Sequence, residues 1–207
     1  MAVASIALVA AFALLAALYF RSSSANNIRS IAILPFINDD PTVDYLSDGI
    51  SEGVMDSFSL LPDLKVISRT SAFRYKGTAV SSQKVTNELA VQALVTGSLS
   101  RHGDNLTVSV ELVDARGDRH LWGAQYDRKL ADVLAVQQDI AKQISERLRA
   151  GGKGEEPSRP GKRSNENAEA HQLYLMGRYH AAKGSLDGLR KSIEYFRQAI
   201  DKNPLTL

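Results

Sequence analysis

Residues 106–112, Leu106-Thr107-Val108-Ser109-Val110-Glu111-Leu112, alternate apolar and polar side chains without a break. Side chains of a β-strand point to opposite faces with period two, so this stretch predicts a strand with one face on a core and the other on water. Ala93 to Ser100 precede it across Arg101-His102-Gly103-Asp104, and His120 to Arg128 follow it across Asp114-Ala115-Arg116-Gly117-Asp118. Short Gly-containing connections of this kind join antiparallel neighbours, which predicts consecutive antiparallel strands at the centre of the chain. Trp122 and Tyr126 on the last of them are expected to pack on one sheet face as core rather than to line a binding surface.

Upstream, Ile31-Ala32-Ile33-Leu34 is a short apolar run stopped by Pro35, which reads as a buried central strand. After the polar turn Asn38-Asp39-Asp40-Pro41, the residues Leu46, Ile50, Val54, Phe58 and Leu61 recur at helical spacing, with Ser47 and Asp48 as N-terminal residues and Pro62 closing the helix. Lys65 to Ser68 predict a second short strand, and Val85, Leu89 and Ala90 a shorter amphipathic helix. A final helix runs from about Asp132, with Val133, Val136, Ile140, Ile144 and Leu148 on one stripe, and ends before Gly151-Gly152. The expected fold over residues 29–150 is therefore α/β (α+β), a mixed sheet of about five strands with about three helices.

Outside this core the composition changes. Residues 2–20 carry no charge, and as a helix they would extend roughly 28 Å, enough to cross a bilayer. Tyr19 and Phe20 beside Arg21 suit an interfacial belt, so residues 1–21 are expected to be a transmembrane helix or uncleaved signal anchor. A cleaved signal peptide is the competing reading, on Ser23 and Ala25, but the apolar run is long and no basic segment precedes it. Arg21 and Arg29 follow the span, a charge pattern that would keep the remainder cytoplasmic. Residues 151–166, rich in Gly, Pro and charge, read as a flexible linker. From Ala168 helical periodicity returns, with Gly184 and Gly188 bracketing a turn, which predicts an α-helical hairpin over 167–207.

Lys and Arg number 25 against 23 Asp and Glu, a balance that gives no broad positive field, so nucleic acid is not an expected partner. The absence of cysteine excludes disulfides, thiolate metal sites and Cys nucleophiles. His102, His120, His171 and His180 are dispersed without metal-ligand spacing, and Gly151-Gly152-Lys153-Gly154 lacks the spacing and the hydroxyl residue of a phosphate loop. No Gly-x-Ser-x-Gly elbow is present. The chain is thus expected not to be an enzyme, with no catalytic residue, cofactor or metal. One polar cluster invites a binding role: Arg69, Thr70, Ser71, Arg74 and Lys76, a basic loop after a short strand, where an anionic group could bind. The plainer reading is a solvated loop whose Arg69 and Lys76 pair with neighbouring acids while Phe73 and Tyr75 cover the sheet edge.

Asp48-Gly49, Ile67-Ser68-Arg69-Thr70-Ser71, Tyr75-Lys76-Gly77 and the stretch from Leu121-Trp122 to Tyr126-Asp127 resemble, in order and spacing, the TolB-like N-terminal (FlgO/TolB-like) domain family. The resemblance covers most of residues 29–148. It implies an α/β domain lying beyond a membrane helix in bacterial proteins whose cytoplasmic portion is a Ser/Thr kinase, a class III adenylyl cyclase or a winged-helix regulator, with tetratricopeptide repeats after it. Leu173, Tyr174, Met176, Gly177 and Tyr179, with Ser192, Phe196, Ala199 and Pro204, in turn resemble one tetratricopeptide unit, with about three extra residues between the two boxes. One such unit cannot bury its apolar face alone, so it must dock on the core or on another chain. The functional expectation is a non-catalytic, membrane-anchored interaction or sensory module at the bacterial inner membrane, its soluble part periplasmic. Protein partners are expected through the repeat helices and the α/β domain. The alternatives are a receptor domain for a small anionic ligand and a cytoplasmic-facing regulatory scaffold.

Overall fold

The computed structural model describes residues 28–78, 80–115, 117–149 and 168–203. The sheet is built from β1 (Ser30–Ile33), β2 (Ile37–Asn38), β3 (Lys65–Val66), β4 (Ala93–His102), β5 (Asn105–Asp114) and β6 (Arg119–Lys129). Its order is β3-β1-β4-β5-β6, with β2 beside β4. β1 runs parallel to both its neighbours, while β4, β5 and β6 form the expected antiparallel run. The expected mixed α/β sheet is present, with β1 in the interior. Pro35 does end β1, but the strand line resumes: Ile33 pairs with Val95 and, past the break, Ile37 pairs with Ser98. β2 was not expected; of its two residues Asn38 falls in the turn expected over 38–41.

The helices are α1 (Asp44–Ser59), α2 (Arg69–Ala72), α3 (Ser82–Leu89), α4 (Val133–Arg149), α5 (Ala168–Ala182) and α6 (Leu186–Lys202). From β1 the chain crosses through α1 to β3 on one side, then returns through α3 to β4 on the other. Because both crossovers of parallel strands must be right-handed, reversing direction across the sheet puts α1 and α3 on opposite faces. The packing follows. Leu46, Ile50, Val54 and Phe58 of α1 meet Val136, Ile140 and Ile144 of α4 and the inward residues Val95, Val108, Val110 and Leu112 in the main core. On the other face a smaller cluster gathers Ala32, Val85, Leu89, Val91 and Leu94 under α3. Trp122 and Tyr126 are buried in the main core, as expected. Burial pushes the Tyr126 phenol up.

Several local expectations are corrected. α1 begins at Asp44 rather than at Ser47 or Asp48, because Asp40 accepts from the Thr42 amide at 2.9 Å and caps a short 3-10 turn, Pro41–Val43, that leads into the helix. Ser47 and Asp48 are buried instead: Ser47 Oγ accepts from Asn38 Nδ2 at 2.9 Å, which ties β2 to the helix. Residues 69–75 are not a loop but two short helical turns, α2 and a 3-10 turn Phe73–Tyr75. Ala90 leaves α3 with φ at +51°, as its left-handed C-cap. Gly188 lies inside the first turn of α6, where its amide donates to Ser185 Oγ at 3.0 Å; Gly184, at φ +64°, makes the turn.

Among the described residues no helix is long and apolar enough to cross a membrane. The expected span at 1–21 and the expected linker at 151–166 both lie outside the described residues. The helical hairpin α5–α6 is present, and α5 docks on α1.

Candidate functional site

Asp44, Asp48, Glu52 and Asp56 recur every fourth residue along α1. At 3.6 residues per turn a period of four drifts slowly around the axis, so these carboxylates form a gently winding stripe beside the apolar face that packs on the sheet. Such a stripe would ordinarily be a solvated face. Here its middle is covered: the side chains of Asp48 and Glu52 are 8% and 6% exposed, whereas Asp56 at the end is 66% exposed.

The cover comes from two elements distant in sequence. The connection after β3 supplies Arg69, whose Nε binds Glu52, and Lys76, whose Nζ donates to Asp48 at 2.6 Å. Helix α5 supplies Arg178, which reaches Glu52 at 2.6 Å and Asp56 at 3.3 Å, and Tyr179, whose hydroxyl donates to Asp44 at 3.3 Å. Glu52 therefore joins both covering elements through one carboxylate. Aromatic rings support the cations: the Arg69 guanidinium lies 4.3 Å from the Phe73 centroid, and Lys183 lies 4.4 Å from that of Tyr179.

Backbone shape lets the elements approach. A Cβ on Gly49 would stand 2.7 Å from Leu175 of α5, and one on Gly53 would stand 2.7 Å from Gln137 of α4. Each glycine opens a notch for one neighbouring helix. Gln137 uses its notch to donate to the Gly49 carbonyl at 2.8 Å, and Gln172 of α5 donates to the Leu130 carbonyl at 3.0 Å. Within the hairpin, the ring of Phe196 covers Gly177.

The electrostatics follow the burial. Burial pushes the Asp48 carboxyl up while Lys76 opposes it. Burial draws the Arg178 guanidinium down, but Glu52 beside it prevails and the net shift is upward. His171 of α5 is buried, and desolvation pushes its imidazole down to about 4, with no hydrogen-bond partner found for Nε2. This arrangement can clamp helices together. Among the described residues no cluster of three or more His, Asp or Glu is placed to hold a metal ion.

The residues singled out in the sequence do not converge. Arg69 and Lys76 turn onto Glu52 and Asp48, Thr70 and Arg74 are exposed, and Ser71 Oγ lies 3.3 Å from Ser68 Oγ. Phe73 packs against the main core and Tyr75 against the smaller cluster. The acidic stripe, Arg178 and Tyr179 were missed. Acids at a strict period of four on one helix were the available signal, but nothing local says that such a face is covered.

The family described as HilA/YgeH-like transcriptional regulator, second domain, matches residues 26–146, more than half of the chain. The chain belongs to this family. The HilA/YgeH-like second domain thus takes in β1 through most of α4, while the hairpin lies beyond the match. The protein named Putative adenylate cyclase 3 of Rhizobium meliloti (strain 1021) is 36% identical over 151 residues, 72% of this chain. The aligned part is 26% of that relative's length. Among solved structures, TolB from Acinetobacter baumannii is 15% identical with a TM-score of 0.45, covering 60% of this chain and 29% of that one. Lipoprotein GNA1162 from Neisseria meningitidis is 19% identical with a TM-score of 0.43, covering 56% and 96%. Both are distant likenesses. The HilA/YgeH-like domain is accordingly shared between a transcriptional-regulator family and a protein bearing a cyclase name.

Proposed function

We propose that this chain is a non-catalytic interaction or sensory module of a bacterial signalling protein, a TolB-like α/β domain anchored at the inner membrane by residues 2–20 and carrying a tetratricopeptide hairpin as its protein-binding arm. The observation that carries the reading is the clamp of α5 on α1, through Leu175 at Gly49 and Arg178 at Glu52 and Asp56. A hairpin fastened in this way moves with the α/β domain, so that a partner bound to one is coupled to the other. Leu186, Leu189 and Ile193 of α6 face solvent and supply apolar surface for a protein partner. Kinship with a cyclase-named protein supports a signalling role, and no reaction, cofactor or nucleic-acid contact is assigned to the module.

In this reading the soluble part lies in the periplasm. Arg21 and Arg29, and the regulator description of the family, favour a second reading, a cytoplasmic-facing regulatory scaffold. The anionic-ligand alternative has no observation in its favour, because an anion would have to displace Glu52 and Asp48 from Arg69 and Lys76.

Two measurements in cells test the reading. A reporter active only in the periplasm, fused after residue 150, gives signal if the module is extracytoplasmic; signal from a cytoplasm-active reporter instead selects the scaffold. A photo-crosslinking residue at Ile193 of the full chain yields a discrete protein adduct if α6 is the binding arm. Absence of any adduct there, with the protein folded, removes the partner-binding role.

A further inference from the structure

The face of the sheet opposite α1 is only partly covered. α3 shields Leu94, but further along the same face β4 and β5 present Thr96, Ser98, Ser109 and Glu111, with Thr96 opposite Glu111 and Ser98 opposite Ser109 in the antiparallel register. A groove of about 290 Å³ runs over these residues. Its floor is a row of hydroxyls ending in a carboxylate. Glu111 sits at that end, opposite Thr96, exposed and with no ion-pair partner among the described residues. Beyond it on β6 stands Gly123, and the room its missing side chain leaves is taken by the His120 imidazole, whose Nε2 lies 2.9 Å from where a Cβ would stand.

One wall is apolar. Ile37 of β2, 65% exposed, stands next to Ser98, and Leu34, Val80 and Tyr75 extend the wall from the cluster under α3. An isoleucine that open to water, on a strand rather than at a loop tip, is an incomplete packing site. The Tyr75 ring is held in place by its hydroxyl, which donates to Glu88 at 2.5 Å. No Lys, Arg or His lines the groove. His120 borders the groove from β6, the strand next to Glu111, without lining it.

We propose that this groove binds a small organic cation, an ammonium group carried on a short apolar body. The ammonium's three donors meet Glu111 and the flanking Thr96 and Ser109 hydroxyls, which can accept. The apolar body covers Ile37 and the Tyr75 ring. The volume, equal to about ten waters at roughly 30 Å³ each, suits a ligand of about ten heavy atoms and lies at the lower end of ordinary small-molecule sites. An anion is excluded by the charge of the floor, and a neutral ligand would leave that carboxylate desolvated without a partner. The site lies across the sheet from the α1–α5 clamp, and its presence or absence leaves the proposed function untouched.

The test is calorimetric titration of the full chain with phenethylamine, phenethyl alcohol and phenylacetate, which share one apolar body and differ in charge. Saturable binding of the amine, at least about tenfold tighter than that of the alcohol or the acid, is expected. Glu111→Gln, an exposed and nearly isosteric change, should lower amine affinity by about tenfold, with an unaltered circular dichroism spectrum showing that the fold is kept. Ile37→Ser should weaken the amine and the alcohol alike. No saturation by the amine through the millimolar range overturns the proposal. So does equal binding of the three probes, which would mark a merely apolar cleft, or full amine affinity in Glu111→Gln.

Discussion

Leu175 of α5 occupies the room that Gly49 of α1 leaves empty, its Cδ2 lying 2.7 Å from where a Cβ on that glycine would stand. The two helices are therefore matched side chain to notch, and the match is what allows the ion pairs beside it to close. Gly49→Val puts a branched side chain into the notch and should release α5 and α6 together, costing about 1–3 kcal/mol. Hydrogen exchange reads the outcome: faster exchange across residues 168–202 with the sheet amides still protected is expected, whereas an unchanged hairpin would show that Leu175 does not govern docking.

Glu52 serves Arg69 and Arg178 at once, so its loss and the loss of Arg178 should not add. A double-mutant cycle with Glu52→Gln and Arg178→Met is expected to give a coupling energy on the order of 1–2 kcal/mol by denaturant unfolding. Removing Arg178 alone should be the milder change, because Glu52 keeps Arg69. A coupling near zero would reduce the clamp to its apolar contact.

His171 makes the docked state sensitive to acid. Its imidazole is pushed from 6.5 to about 4 by burial, so between those values the unfolded chain binds the proton that the folded chain refuses. Stability is therefore complete above about pH 6.5 and falls as the pH drops toward 4, by up to about 3 kcal/mol. Asp48, whose carboxyl is pushed up, acts in the opposite direction, with stability lost as pH rises through its folded pKa. Comparing the wild type with His171→Phe, which keeps a ring against Tyr174, cancels the Asp48 contribution. The variant should gain on the wild type as pH falls through that window; parallel pH profiles would mean that the imidazole is solvated.

Gly177 is a further notch, within the hairpin. The Phe196 ring comes within 2.5 Å of a Cβ built there. Gly177→Ala should therefore loosen α6 from α5 by about 1–3 kcal/mol while Leu175 still holds α5 on α1. Selective loss of exchange protection in residues 186–202, with α5 retained, distinguishes this variant from Gly49→Val.

The elements were legible because each reports its own backbone geometry through side-chain period. Alternation over Leu106–Leu112 and the stripe through Val133, Ile140 and Ile144 correspond directly to β5 and α4. Boundaries were less legible. Asp40 caps the turn before α1, and Ser47, which looked like a cap, is buried against Asn38. Both residues are good caps by type, and only the path of the chain chooses between them.

The amino-acid order by itself determined the strand and helix inventory apart from β2 and the helical turns at 69–75, and the two glycines that make α1 approachable from either side, since these depend on local dihedral and steric preference. It determined as well that a lone helical hairpin must find a surface to bury its apolar side. Which surface, and which charges are covered with it, was decided by tertiary structure alone. Asp48, which by sequence is an N-terminal helix residue, and Glu52 are buried because Lys76, Arg69 and Arg178 arrive from remote segments. Opposite charges at such separations pair only after the crossover from β1 to β3 has laid α1 on the sheet beside the connection after β3 and α5 has docked on it, since burial, not sequence spacing, sets how strongly two charges interact.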